Sequence, residues 1–217
     1  MIPALVVLVA VSTAVLLLGE ARGLPWVRLA SKPVASAGCL ALAGAAGADG
    51  PLGAGLVLAL AASFVGDLAL LSADRRWFLA GLGAFLLAHL AYLWTFLQLP
   101  ASGPRAAVAA CALVPFAAGV ATWLRPHVPD RMRVPVAAYV VAICAMTGAA
   151  VAASAGPWPA PLLPVAAGSF VFSDLCVARQ RFVQPGFVNR ALGLPTYFAA
   201  QVAFAVLVPR LDGTVVP

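Results

Sequence analysis

Two aspartates stand in stretches too apolar to hold a bare charge: Asp67 in Ser63-Phe64-Val65-Gly66-Asp67-Leu68 and Asp174 in Ser169-Phe170-Val171-Phe172-Ser173-Asp174-Leu175. A carboxylate inside hydrocarbon is costly, so such residues face a polar interior, find a partner and mark a functional path. Side chains able to orient them recur at helical spacing. His89 and Tyr92 share a face with Phe85, and Tyr197 lies one turn from Gln201. Ser63 lies one turn before Asp67, and Ser173 adjoins Asp174. Carboxyls, imidazole, phenols and a carboxamide on successive segments suit proton transfer, as acid–base catalysis or as a relay. A plainer reading exists for each. Either Asp can pair with Arg75 or Arg179 at a helix end, His89 can serve as a helix–helix hydrogen bond, Tyr92 and Tyr197 can be packing, and Ser63 can bond a backbone carbonyl.

The elements that must position these groups are membrane helices. Hydrophobic residues make up 64% of the 217, charged residues 9%, and mean hydropathy is +1.03; soluble domains carry about 25% charged residues. Hydrocarbon offers the backbone no hydrogen-bond partner, and apolar runs of about 20 residues select helices over a barrel. The expected fold class is all-α, a polytopic bundle.

Gly, Pro and charge clusters divide the chain into eight apolar segments at 2 to 19, 29 to 48, 52 to 72, 77 to 98, 106 to 124, 134 to 154, 160 to 179 and 189 to 209. Eight transmembrane helices follow. Short connections leave no room for a soluble unit, so residues 1–217 read as one integral membrane domain. The first segment lacks the basic lead and cleavage site of a secretory signal and reads as a retained span. Pro33, Pro115, Pro135, Pro164 and Pro195 fall within segments, where membrane helices tolerate them.

The formal charge of +6 does not point to nucleic acid, because the basic residues lie between spans and form no patch with interleaved aromatics. Of the 13 Lys and Arg, all but Arg105 and Arg210 fall at the connections after the first, third, fifth and seventh segments. The positive-inside rule puts those connections in the cytoplasm and both termini outside. Cys39, Cys111, Cys144 and Cys176 are isolated, with no C-x-x-C spacing, and read as free thiols. The two Ser-Phe-Val stretches, four segments apart, suggest two parallel four-helix halves. At about 1.5 Å per residue both acids lie roughly 6 to 9 Å inside the arginine-rich face, with His89 and Gln201 about 20 Å deep.

Taken together, Lys32-Pro33, Ser63 through Asp67, Gly81 through Phe85 to His89-Leu90-Ala91-Tyr92, Ser169 through Asp174, Phe182 and Tyr197-Phe198-Ala199-Ala200-Gln201 resemble the lysoplasmalogenase family, the YhhN-like membrane proteins. The resemblance covers almost the whole chain and implies hydrolysis of the vinyl ether bond of a lysoplasmalogen, or of a related lysolipid, to a fatty aldehyde and a glycerophospho-headgroup. It implies a lysophospholipid substrate in the bilayer and no cofactor. That chemistry wants a protonated acid beside an ionised carboxylate, the division of labour used by glycosidases. Asp67 and Asp174 would be that pair, in either assignment, with Ser63, His89, Tyr92, Ser173, Tyr197 and Gln201 orienting them and Lys32 and Arg190 holding the lipid phosphate. Two other classes stay open: a metal hydrolase using Asp67, Asp174 and His89, and a proton-coupled carrier in which the acids relay protons. The sequence leaves oligomeric state open.

Overall fold

A computed structural model describes residues 1–72, 74–156 and 159–211. Eight α-helices run through them: α1 (Ile2–Arg22), α2 (Pro25–Ala45), α3 (Gly50–Ala69), α4 (Arg75–Leu97), α5 (Gly103–Leu124), α6 (Asp130–Ala153), α7 (Leu163–Ala178) and α8 (Phe187–Leu211). Among the described residues there is no strand. Seven of the helices are long and apolar enough to cross a membrane. The exception, α2, is equally long at 21 residues but carries Arg28 and Lys32.

Prolines start many of these helices. α1, α2, α3, α5 and α7 each have Pro within the first two positions, where its missing N–H costs nothing and its fixed φ is already helical. Pro164 is one of them: it opens α7 and does not interrupt a span, because the helix begins at Leu163 after a 3-10 turn over Ala160–Leu162. At the start of α4, the Asp74 carboxylate accepts from the Arg76 amide at 2.6 Å. Gly23 closes α1 in the left-handed conformation, φ 64°, and Pro25 starts α2 two residues later. That turn brings α2 in four residues before the segment boundary expected at 29.

Six helices form a closed ring by packing in the order α2, α3, α4, α6, α7, α8 and back to α2. α1 lies outside against α2 and α8, while α5 leans on α6 and buries only Ala109 and Leu124. Aromatic residues fill the ring. Tyr92, Phe96, Phe170 and Phe204 are almost wholly buried, with the Tyr92 and Phe204 rings 4.7 Å apart. Close approach of α3 and α4 depends on a missing side chain, since a Cβ on Gly66 would lie 2.6 Å from the Phe85 ring.

α7 does not stop at Arg179. The chain continues as a π-helical turn over Arg179–Val183, held by Arg179, which donates to Asn189 Oδ1 at 2.6 Å and Gln184 Oε1 at 2.8 Å. With the extra turn Asp174 stands nine positions before the end at Val183, further from the helix end than a segment closing at 179 implied, and beside His89. The two Ser-Phe-Val stretches are not equivalent either. Phe64 is half-buried and Phe170 fully buried, so the shared string places its residues on different helix faces.

Candidate active site

A cavity of about 390 Å³ opens among the ends of the ring helices, and both Asp67 and Asp174 line it. Its wall also includes Glu20 and Arg28 from the α1–α2 connection, Ser72 after α3, Leu124 at the end of α5, and Arg181 and Arg190 from the α7–α8 connection. These are the four arginine-rich connections. Below it the aromatic filling of the ring makes a floor.

The acids have different partners. Asp67, on the last turn of α3 and 2% exposed, faces Lys32 Nζ at 3.0 Å, and its Oδ2 accepts from Ser36 Oγ and Tyr197 OH, both at 2.6 Å. Lys32 and Ser36 are one turn apart on α2, so one helix face supplies both. Behind Tyr197 runs a directed chain: Tyr92 OH donates to Gln201 Oε1, and Gln201 Nε2 donates to the Tyr197 oxygen at 3.0 Å. All three partners of this carboxyl, an ammonium and two hydroxyls, donate to it.

Asp174, on α7, accepts from Tyr139 OH at 2.9 Å and stands 3.3 Å from His89 Nε2. The other ring nitrogen, Nδ1, is 2.6 Å from the Phe85 carbonyl oxygen. A carbonyl only accepts, so Nδ1 carries a proton, and neutral His89 presents the Nε2 lone pair to the carboxyl. Two lone pairs facing each other repel; one added proton, on Asp174 or on His89, turns that repulsion into attraction. Nε2 is close but not aligned for a hydrogen bond, leaving it without a formed partner. His89 is wholly buried, edge-on to Tyr139 at 5.0 Å and against Phe170 at 4.8 Å, while Asp174 is partly exposed at the cavity wall.

At the mouth, Glu20 pairs with Arg28 at 2.7 Å and with Arg190. This cluster and Lys32 give the cavity a cationic rim with one carboxylate at its centre.

The structure thus gathers Lys32, Asp67, Tyr197, Gln201 and Tyr92 into one network and His89 with Asp174 into another, and places Ser173 and Arg190 on the cavity wall. Ser63 stands apart: its Oγ is buried with neither a hydrogen-bond partner nor a place on the cavity wall. It does not bond a backbone carbonyl. Neither acid takes the helix-end pairing, Asp67 because Lys32 is nearer and Asp174 because Arg179 is committed to Asn189 and Gln184. Among the described residues no three His, Cys, Asp or Glu side chains gather as a metal cage, so His89 with the two acids does not form one. All four cysteines are free thiols.

Sequence reasoning missed Ser36, Tyr139, Glu20 and Arg28. Ser36 was signalled by its spacing of four from Lys32. Tyr139 is one of only three tyrosines, and Glu20 is the chain's one glutamate; rarity was the available signal for both.

The sequence profile of the YhhN family matches residues 27–208. A Mycobacterium bovis protein named lysoplasmalogenase is 37% identical over 157 residues, covering 68% of this chain and 57% of the relative. From Sus scrofa, lysoplasmalogenase TMEM86B is 33% identical over 165 residues, 75% of this chain and 67% of the relative. Bos taurus lysoplasmalogenase TMEM86A is 29% identical over 157 residues, 70% of this chain and 63% of the relative. The match therefore spans little more than half of the mycobacterial relative's length. No solved structure matches the chain.

Proposed function

The chain belongs to the YhhN family, and from that premise we propose that it hydrolyses the vinyl ether bond of a lysoplasmalogen or closely related lysolipid. The observation that carries this reading is the commitment of His89 Nδ1 to the Phe85 carbonyl, which makes the Asp174–His89 pair a holder of one proton at the wall of a cavity with a cationic rim. The relatives' names favour hydrolysis over carriage of a solute.

The rim takes the substrate first. Lys32, Arg28 and Arg190 offer donors to the phosphate, Arg190 and Arg28 being held ready by Glu20. With the headgroup there, the first glycerol linkage reaches the level of Asp174. The pair's proton passes from Asp174 to the alkene carbon remote from oxygen, and the alkene electrons form that C–H bond, leaving an oxocarbenium ion. Asp67, fixed by its three donors, supplies negative potential to the developing cation. Water adds to the carbon bearing oxygen and gives its proton to Asp174, now a carboxylate, in the same switch from acid to base that retaining glycosidases use. The hemiacetal then passes its hydroxyl proton to the Asp174–His89 pair as the pair protonates the departing glycerol oxygen, and the pair ends holding one proton again. Aldehyde and glycerophospho-alcohol leave, the net change being addition of one water.

The arginine-rich connections support a cavity mouth at the cytoplasmic face, with both termini outside and the substrate drawn from the inner leaflet. Reporter fusions at the termini and at the α3–α4 turn test that orientation.

Purified protein incubated with a vinyl ether lysolipid, its alkyl ether analogue and a saturated ester lysolipid tests the reaction. Aldehyde from the vinyl ether alone is expected. Free fatty acid from the ester lysolipid, without aldehyde from the vinyl ether, would overturn it.

A further inference from the structure

A second void, about 580 Å³, lies between α5, α7 and α8 and is open to the outside of the bundle. Its walls are almost entirely apolar, with Phe116, Gly119 and Trp123 on α5 facing Phe172 and Leu175 on α7 and Leu192 on α8. The groove exists because α5 packs on α6 and leaves its other side free. It is not a separate depression. Phe116, Val120, Leu175, Cys176 and Asn189 line both it and the site cavity, and Leu175 and Cys176 directly follow Asp174. Those five residues form a wall common to the groove and the site cavity, next to Asp174.

We propose that the α5/α7/α8 groove is the seat of the lysolipid's hydrocarbon chain and its lateral way into the site, a proposal that rests on the lysolipid reading above. The occupant is set by the two voids on either side of that wall: a cationic rim on one, and on the other an apolar trough whose single charged lining residue is Arg179, with Asp174 beside the wall on the cavity side. Only an amphiphile with an anionic headgroup and one flexible chain matches both. Bilayer hydrocarbon is as apolar as the trough, so the groove adds little affinity. It fixes the position of the bond to be cleaved relative to Asp174, and misplacement costs rate.

Gly119 gives a clean test. A Cβ there meets nothing within 4 Å, as does one on Gly83 of α4, which lines neither void. Gly119→Trp should fill the groove without disturbing the fold, and Gly83→Trp serves as control. The expected result is a loss of about tenfold or more in kcat/KM for a long-chain vinyl ether lysolipid, little change for one whose chain is too short to reach the groove, and no change on either in Gly83→Trp. Equal losses on both chain lengths, or none, would overturn the proposal. A readout without turnover separates this from the reaction itself: a non-hydrolysable alkyl ether lysolipid with a diazirine in its chain. Adducts on α5 and α7 that vanish in Gly119→Trp support the groove whether or not aldehyde is ever formed. Adducts spread evenly over all lipid-facing helices would mean annular lipid only and would overturn it.

Discussion

Asp67 and Asp174 are the same residue in similar apolar runs, and the fold treats them differently. Asp67 sits among an ammonium and two hydroxyls, all donating; Asp174 has one phenol and an imidazole whose near nitrogen is without a formed partner. The first carboxyl has donors on both oxygens, and the second faces a ring nitrogen with no formed partner. On the proposed reading, what suits Asp174 to catalysis is less its burial than an unfinished hydrogen-bond set at the cavity wall.

The comparison can be broken from either side. The largest effect falls on Asp174→Asn, which removes the proton donor: turnover should drop by about 10²–10⁴, measured as aldehyde release. Asp67→Asn should instead hurt stability as well as activity, because it strands the Lys32 ammonium. Breaking a buried pair costs about 3–5 kcal/mol, read as a lowered Tm. The double variant Lys32→Met with Asp67→Asn should recover part of that stability and none of the activity; additive losses would show that the two side chains do not act as a pair. His89→Gln keeps a polar group but not the shared proton, so we expect about a hundredfold loss of kcat with KM little changed and an altered pH profile. Unchanged pH dependence would make His89 a packing residue. Smallest is Tyr92→Phe, which removes the far end of the relay behind Tyr197. Loss of one hydrogen bond of about 1 kcal/mol should cut turnover several-fold at most, and a collapse of activity would mean that the relay carries protons.

The helical class, the helix count and most boundaries were legible because apolar runs of membrane length leave the backbone one economical solution. The depth of Asp174 was not, since a π-helical turn over Arg179–Val183 has no hydropathy signature. Lys32 stood out as the chain's one lysine, but its partner was set by how α2 docks on α3. Tyr139 was hidden in an unbroken apolar span. Glu20 lies near a helix end beside Arg22, and only folding brings Arg28 and Arg190 against it. The differing burial of Phe64 and Phe170 was not legible from their matching letters either, whereas the helix neighbours α1·α2, α2·α3 and α3·α4 recur as α5·α6, α6·α7 and α7·α8, in keeping with the two suggested halves.

The account turns most directly on Asp174→Asn, followed in one preparation for Tm, for binding of an alkyl ether lysolipid and for aldehyde release from the vinyl ether substrate. It predicts a Tm and lipid binding close to those of the unaltered protein with aldehyde release reduced at least about a hundredfold. Aldehyde release within a few-fold of the unaltered protein would contradict it.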